Sequence, residues 1–301
     1  MDDVDQLRRF LFENEPLRGH WVRLEESWLA ARTHQSLPPA VNRLLGEALA
    51  AVSLLAAALK FRGTLTLQVT GGGSLSLLIA QATHEQHLRG IAQLREDTPV
   101  PVEEDFRALV GEGRLVVTVD AGDGVPPWQG IVPLSGNTLS ECLESYFETS
   151  EQLPTRIVLA ADEHRAGGIL LQKLPTPPDA GEAAEGHVRD VWDEAALFLK
   201  TVQPHELLDA PLEPLLQVVF GEHDLRLFEP DRVRFQCRCD EERVASLLQG
   251  LGEAEVRSVL EEQGMVTVTC EFCQRPYRYD AIDVAQLFAV APLPEVPGSL
   301  N

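Results

Sequence analysis

The chain is poor in several things that would point to a function. It has 25 lysines and arginines against 47 aspartates and glutamates, a formal net charge of −22. Binding to nucleic-acid phosphate or to an anionic membrane needs a basic face, so neither is expected as a partner. The most apolar run, Leu44–Leu59, contains Glu47 and falls below the ~18 residues expected of a membrane span. The acidic start, MDDVDQLRRF, has no apolar stretch, and no secretory signal is expected. There is no nucleophile elbow, dinucleotide fingerprint or kinase signature. Gly71-Gly72-Gly73 lacks a following G-K-S/T and is expected to turn a hairpin. His84 and His87, in H-E-Q-H, lack the i, i+4 spacing of a zinc-protease helix and are expected in a loop. Cysteine is scarce as well, at 5 in 301 residues.

Four of those five cysteines lie together near the end of the chain. They form C-R-C at Cys237 and Cys239 and C-E-F-C at Cys270 and Cys273. Two close pairs across an intervening segment form the pattern of a four-cysteine zinc site. Free thiols with this spacing fit a reducing cytoplasm better than a disulfide framework. Val233–Cys239 reads as a strand, which would point Cys237 and Cys239 to one face. Asp240 is the expected cap of a helix over Glu241–Leu248, with Gly250 as its stop. Gly252–Gln263 fits a second helix with Val256, Val259 and Leu260 as its stripe, and Met265–Thr269 a strand leading into the second pair. This module has few large apolar residues, so metal-binding free energy would become folding free energy. The site could be structural only. The C-x-C half points further, because it crowds two thiolates, and metal-held thiolates are what oxidants attack. A thiol–disulfide oxidoreductase is the enzyme alternative. Its C-x-x-C, however, follows a strand instead of opening a helix.

The C-x-C and C-x-x-C motifs are joined by DQLRRFLFEN, SLLAAALKFRGTLTLQV, LRGIAQL, WQGIVPLSGNTLSECLESYFETSEQLPTR and AGGILLQ. Together they resemble the bacterial redox-regulated heat-shock chaperones, the heat shock protein 33 family, over nearly the whole chain. The resemblance implies an ATP-independent holdase and not an enzyme. It implies one Zn2+ on Cys237, Cys239, Cys270 and Cys273 in a reduced, inactive form. Oxidation would pair Cys237 with Cys239 and Cys270 with Cys273, release zinc and unfold a neighbouring linker. Unfolding client proteins would then bind the exposed apolar surface, and the oxidised form could dimerise.

The remaining pattern divides the chain. Residues 1–175 are expected to form an α+β domain with a mixed or antiparallel sheet covered on both faces. A long alanine-rich helix from Pro39 to about Lys60 should lie at its centre, with Val41, Leu44, Leu45, Ala48, Val52, Leu55, Ala56 and Leu59 at helical spacing. Asp5–Asn14 reads as a short helix or an extended arm, and Phe106–Val110 as a bridge. Leu139–Thr149 should be a helix that buries the lone Cys142. Pro175–Glu185 marks a boundary. A helical linker, 176–232, follows, with patterns broken by Pro204, Pro211 and Pro214, each too short to be stable alone. The four-cysteine module spans 233–291 and closes with a helix over Ala281–Ala289, and 292–301 is a tail.

Overall fold

The computed structural model describes residues 4–101, 105–122, 124–175 and 181–289. The chain forms two compact units, Met1–Gln236 and Cys237–Asn301. Strands and helices occur in both, so the fold is α+β.

The first unit opens with the hairpin β1 (Gln6–Phe12) and β2 (Leu17–Leu24). Asp5–Asn14 is therefore largely strand, not helix, because its apolar residues pair with β2. Gly19 of β2 is required by Phe10, since a Cβ there would lie 2.0 Å from the ring. α1 (Glu26–Arg32) has no cap of its own. Asp5 supplies one from another element: its carboxylate accepts from the Glu25 and Ser27 amides at 3.0 and 3.1 Å and from Ser27 Oγ at 2.6 Å. α2 (Pro39–Ala58) starts on proline, as the first helical turn allows.

Next come β3 (Thr64–Gly71), β4 (Leu75–Thr83) and β5 (His87–Leu94). The three glycines make the β3–β4 turn, as expected. The Phe106–Val110 stretch is a short helix, α3, capped by Asp105, and not a mere bridge. β6 (Gly113–Asp120) and β7 (Trp128–Pro133) follow. α4 (Leu139–Tyr146) runs into a π-helical turn, Phe147–Glu151. Then come β8 (Thr155–Ala161) and β9 (Ala166–Lys173).

Of the boundary segment, 176–180 lies outside the described residues. From there α5 (Gly181–Leu199), α6 (Pro204–Asp209) and α7 (Leu212–Phe220) follow one another. The stretch after them is not helical. β10 (Leu225–Leu227) and β11 (Asp231–Arg232) both pair with β1, and β12 (Arg234–Phe235) runs parallel to β5. β10 and β11 fall in the stretch expected to be a helical linker, where such short strands have no periodicity of their own, while β12 lies within the strand expected over Val233–Cys239.

The strands make two sheets where one was expected. One has the order β10-β1-β2-β9-β8, with β11 also on β1, and the other β12-β5-β4-β3-β6-β7. The described pairs are antiparallel except β12–β5. α2 lies between the sheets. Its Leu45, Leu49, Val52 and Leu55 share one buried cluster with Val22, Leu24 and Leu170 of the first sheet and Leu65, Leu67 and Leu78 of the second. Gly46 lets it approach closely, since a Cβ there would be 2.6 Å from that of Ala161. Among the described residues α2 alone is long and apolar enough to cross a membrane, and here it is a buried core helix.

The far face of the first sheet is covered by α5–α7. Phe10, Phe12, Trp21, Ile169 and Leu171 meet Val191, Trp192, Leu199, Leu207, Leu216 and Phe220 in a second cluster. The Phe12 and Phe220 rings stand edge to face, with centroids 5.4 Å apart. α6 and α7, of 6 and 9 residues and too short to persist alone, are thus held by an apolar sheet face. α5 reaches 19 residues and exceeds the length expected of this segment.

The second unit has α8 (Glu241–Leu251), α9 (Glu253–Gln263), the hairpin β13 (Val266–Thr269) and β14 (Pro276–Tyr279), and α10 (Ala281–Leu287). Gly250 does not stop α8. The break comes at Gly252, whose φ of 97° favours glycine. The expected tail, 292–301, lies outside the described residues.

Glu47, half-buried on α2, tests the core. Burial pushes its carboxyl up to about 7, against the pull of Arg43. A folded value above the unfolded one means that the contribution is full below about 4.5 and lost as pH rises through 7. Glu47→Gln should therefore match the wild type near pH 4.5 and be more stable at pH 8, by on the order of 1–3 kcal/mol. Denaturant melts at the two pH values check this. Equal differences at both would refute it.

Candidate metal and redox centre

The second unit has little to hold it together. Among the described residues its buried apolar cluster is Val244, Leu248, Val256, Val266, Tyr277 and Val284, with partly buried Val259, Leu260, Val268 and Phe288 packed against it. What its elements do accomplish is to bring four sulfurs to one point. Cys237 and Cys239 precede α8, whose first turn is capped by Asp240 accepting from the Arg243 amide at 2.8 Å. Arg243 Nη1 donates back to the Arg238 carbonyl at 2.9 Å and fixes the C-x-C loop. These two cysteines are not in a strand, because β12 ends at Phe235. The expected strand extended too far, and a loop turned back by Asp240 and Arg243 presents both sulfurs.

Cys270 and Cys273 lie in the turn between β13 and β14. The Cys270 amide donates to the Arg275 carbonyl at 3.0 Å, and the Gln274 amide to the Cys270 carbonyl at 2.8 Å. Gln274, at φ 53°, closes the turn in the left-handed region. This knuckle follows a strand and leads into another. It lacks the helix N-terminus that would activate a thioredoxin-like C-x-x-C.

Cys237 Sγ lies 3.5 Å from Cys270 Sγ, and Cys239 Sγ 3.3 Å from Cys273 Sγ. All four lie within 4.8 Å of one another. That is far beyond a disulfide bond of about 2.05 Å. It brackets the edge of about 3.8 Å given by tetrahedral metal–sulfur bonds near 2.3 Å. The donor set suits a soft divalent ion. Without one, the cluster is electrically uneven. Burial works to raise the Cys239 thiol, but the nearby Tyr277 hydroxyl and the other three thiols outweigh it and bring it down to about 7. Burial drives Cys273 up to about 12 and also raises Cys237. One thiolate in the cluster is thus favoured and its neighbours are penalised, which is the situation a cation relieves.

Comparison with known proteins bears on this directly. The sequence profile described as Hsp33 protein matches residues 5–280. The chain is 44% identical over 288 residues to a 33 kDa chaperonin of Nitrosococcus oceani, covering 96% of each chain. This Hsp33 match is decisive. The chain belongs to the Hsp33 family of chaperones. A 33 kDa chaperonin of Methylobacillus flagellatus is 40% identical over 289 residues, again covering 96% of each. The crystal structure of the 33 kDa chaperonin, a heat shock protein 33 homologue, from Thermotoga maritima superposes with a TM-score of 0.81 at 23% identity, over 94% of this chain and 97% of that one. That likeness shows the fold. The resemblance read from the sequence is confirmed.

The other candidates separate cleanly. Cys142 is fully buried on α4, remote in sequence from the cluster, and burial raises its pKa. His84 lies in the β4–β5 turn, where its Nδ1 accepts from the Gly63 amide at 3.2 Å, and His87 opens β5. Sequence reading missed β14 and with it Tyr277, which is buried in the module's apolar cluster, against which Cys239 packs. The alternation in Pro276–Tyr279 was the available signal.

Burial and reactivity can be measured together. In the native, reduced, metal-free chain, a thiol alkylating reagent should modify Cys237, Cys239, Cys270 and Cys273 and spare Cys142 until the protein is denatured. Peptide mass mapping reads this. Labelling of Cys142 at the rate of the other four would overturn its placement.

Proposed function

We propose that this chain is an ATP-independent holdase, working in the cytoplasm, whose capture of unfolding proteins is switched on by oxidation of Cys237, Cys239, Cys270 and Cys273. The observation that carries the reading is a cluster of four thiols in a module with six buried apolar side chains. The same chain holds a proline-interrupted helical segment that hides a broad apolar sheet face. Zinc is the metal that best suits four thiolates at this spacing. When bound, it would keep the sulfurs as thiolates and supply, as folding free energy, on the order of 10 kcal/mol.

The chain's own residues do the rest. The two C-x-C thiols join as one disulfide and the two C-x-x-C thiols as another. Four sulfurs give up four electrons, and with four protons, from solvent where the sulfurs are thiolates, two molecules of peroxide become four of water. Sulfurs tied in disulfides no longer offer four thiolates, and the module, roughly Val233–Leu287, loses its main source of stability. The chain from α7 reaches Cys237 through β10, β11 and β12, each of two or three residues. An unfolded module leaves that path and α5–α7 (within the linker 176–232) with less to hold them. Lifting α5–α7 uncovers Phe10, Phe12, Trp21, Ile169 and Leu171, a surface that binds apolar segments of clients non-specifically. Association of two oxidised chains through the same surface belongs to this reading. The net charge of −22 keeps such a surface in solution. Binding without turnover fits a family of chaperones better than a dithiol enzyme, since Cys270 opens no helix.

The test is light scattering from a heat-unfolding client, with the chain either reduced and zinc-loaded or treated with peroxide at raised temperature. Only the oxidised sample should suppress aggregation, with one zinc released per chain and disulfides mapping to Cys237–Cys239 and Cys270–Cys273. Cys239→Ser should weaken zinc binding at least 100-fold and uncouple suppression from oxidant. Equal behaviour of both wild-type samples would reduce the cluster to a structural role.

A further inference from the structure

The helical segment is not held by apolar contact alone. Where α6 ends and α7 begins, a buried arginine reaches up from the sheet. Arg23 of β2 is only 6% exposed. Its Nη2 donates to the Leu207 carbonyl at 3.1 Å and also to the Ala210 carbonyl. Its guanidinium lies 4.9 Å from the centroid of the Trp21 ring. Both acceptors belong to the C-terminal end of α6, where carbonyls have no partner within the helix. Pro211, at the cap of α7, follows at once. Across the sheet Arg23 pairs with Gly167, which has no side chain to stand in its path. A second arginine grips the same corner from outside: Arg165 donates to Asp209 Oδ1 at 2.5 Å and to Glu25 Oε2 at 3.1 Å.

A buried guanidinium is costly unless its donors are met. While α6 is seated, two carbonyls take the Nη2 donors and the Trp21 ring lies against the guanidinium. If α6 shifts, both carbonyls leave Nη2 together. Such a contact favours two states, seated or detached, over gradual loosening. The apolar residues around it would by themselves permit sliding.

We propose that Arg23 is the latch of the helical segment: its grip on the α6–α7 junction determines how readily α5–α7 leave the sheet. This rests on the functional reading above, in which that departure exposes the client-binding face. Arg23 acts as a positioning residue and touches no client itself.

The experiment uses full-length wild type, Arg23→Gln and Arg23→Lys, all reduced and zinc-loaded. Metal content, hydrogen exchange of 204–220 and of α2, and client light scattering are read together. Arg23→Gln should keep the wild-type metal content and leave α2 exchange unchanged. It should speed exchange in 204–220 at least tenfold and suppress aggregation without oxidant. Arg23→Lys, which keeps the charge but not the paired donors, should fall between. Unchanged exchange in 204–220 would overturn the latch. So would faster exchange with no suppression, where oxidised wild type does suppress. Failure of oxidised wild type to suppress would instead sink the functional reading, and the exchange data would still judge the latch. If Arg23→Gln also loosens α2, Arg23→Lys carries the comparison by the same criteria.

Discussion

The second unit depends on one constraint: four sulfurs must share a space less than 5 Å across, in a module with almost no core. Every local feature around them serves that requirement. Asp240 and Arg243 turn the C-x-C loop back, and Gln274 adopts a left-handed conformation to close the knuckle. Four thiols so close repel once ionised, and burial together with their mutual hydrogen bonds already shifts Cys239 and Cys273 in opposite directions. In the proposed reading a cation would resolve the conflict by holding all four as thiolates, and oxidation would resolve it by removing the charge, in a module stabilised by little else.

The first unit shows the opposite economy. α2 is buried between two sheets with large side chains from both, so no single contact decides its fate. The contrast suits the proposed switch, in which one part of the chain would stay folded as a platform while another, marginal part responds. Between them in sequence stand α5–α7, whose amphipathic faces are satisfied only by the sheet beneath. Their inner residues, such as Trp192, Leu207 and Phe220, are buried, yet Leu197 and Val218 face outward at 63% and 80% exposure. A segment with apolar residues on both sides is less committed to its seat than an ordinary surface helix.

The polar contacts along that segment add specificity more than strength. His187–Glu15, Arg8–Glu213 and Arg165–Asp209 are at least half-exposed on one side and worth little each. Arg23 differs because it is buried, and there the penalty for losing a partner exceeds the gain from having it.

The sequence by itself determined the family, the four cysteines, the central helix and the placement of most strands. These are signals carried by spacing and period: C-x-C and C-x-x-C, apolar residues three and four apart in α2, alternation in β3 and β6. The tertiary structure decided what no period encodes. That there are two sheets and not one follows from pairing between distant strands, such as β2 with β9. The strand expected to run through Cys237 and Cys239 stops at Phe235, although β5 continues to Leu94, and Asp240 and Arg243 fix the loop beyond it. β10, β11 and β12 are too short to have a pattern and exist only where an edge receives them. The role of Arg23 was equally hidden: in sequence it is one charge in a strand, and only the seating of α6 above it turns that charge inward.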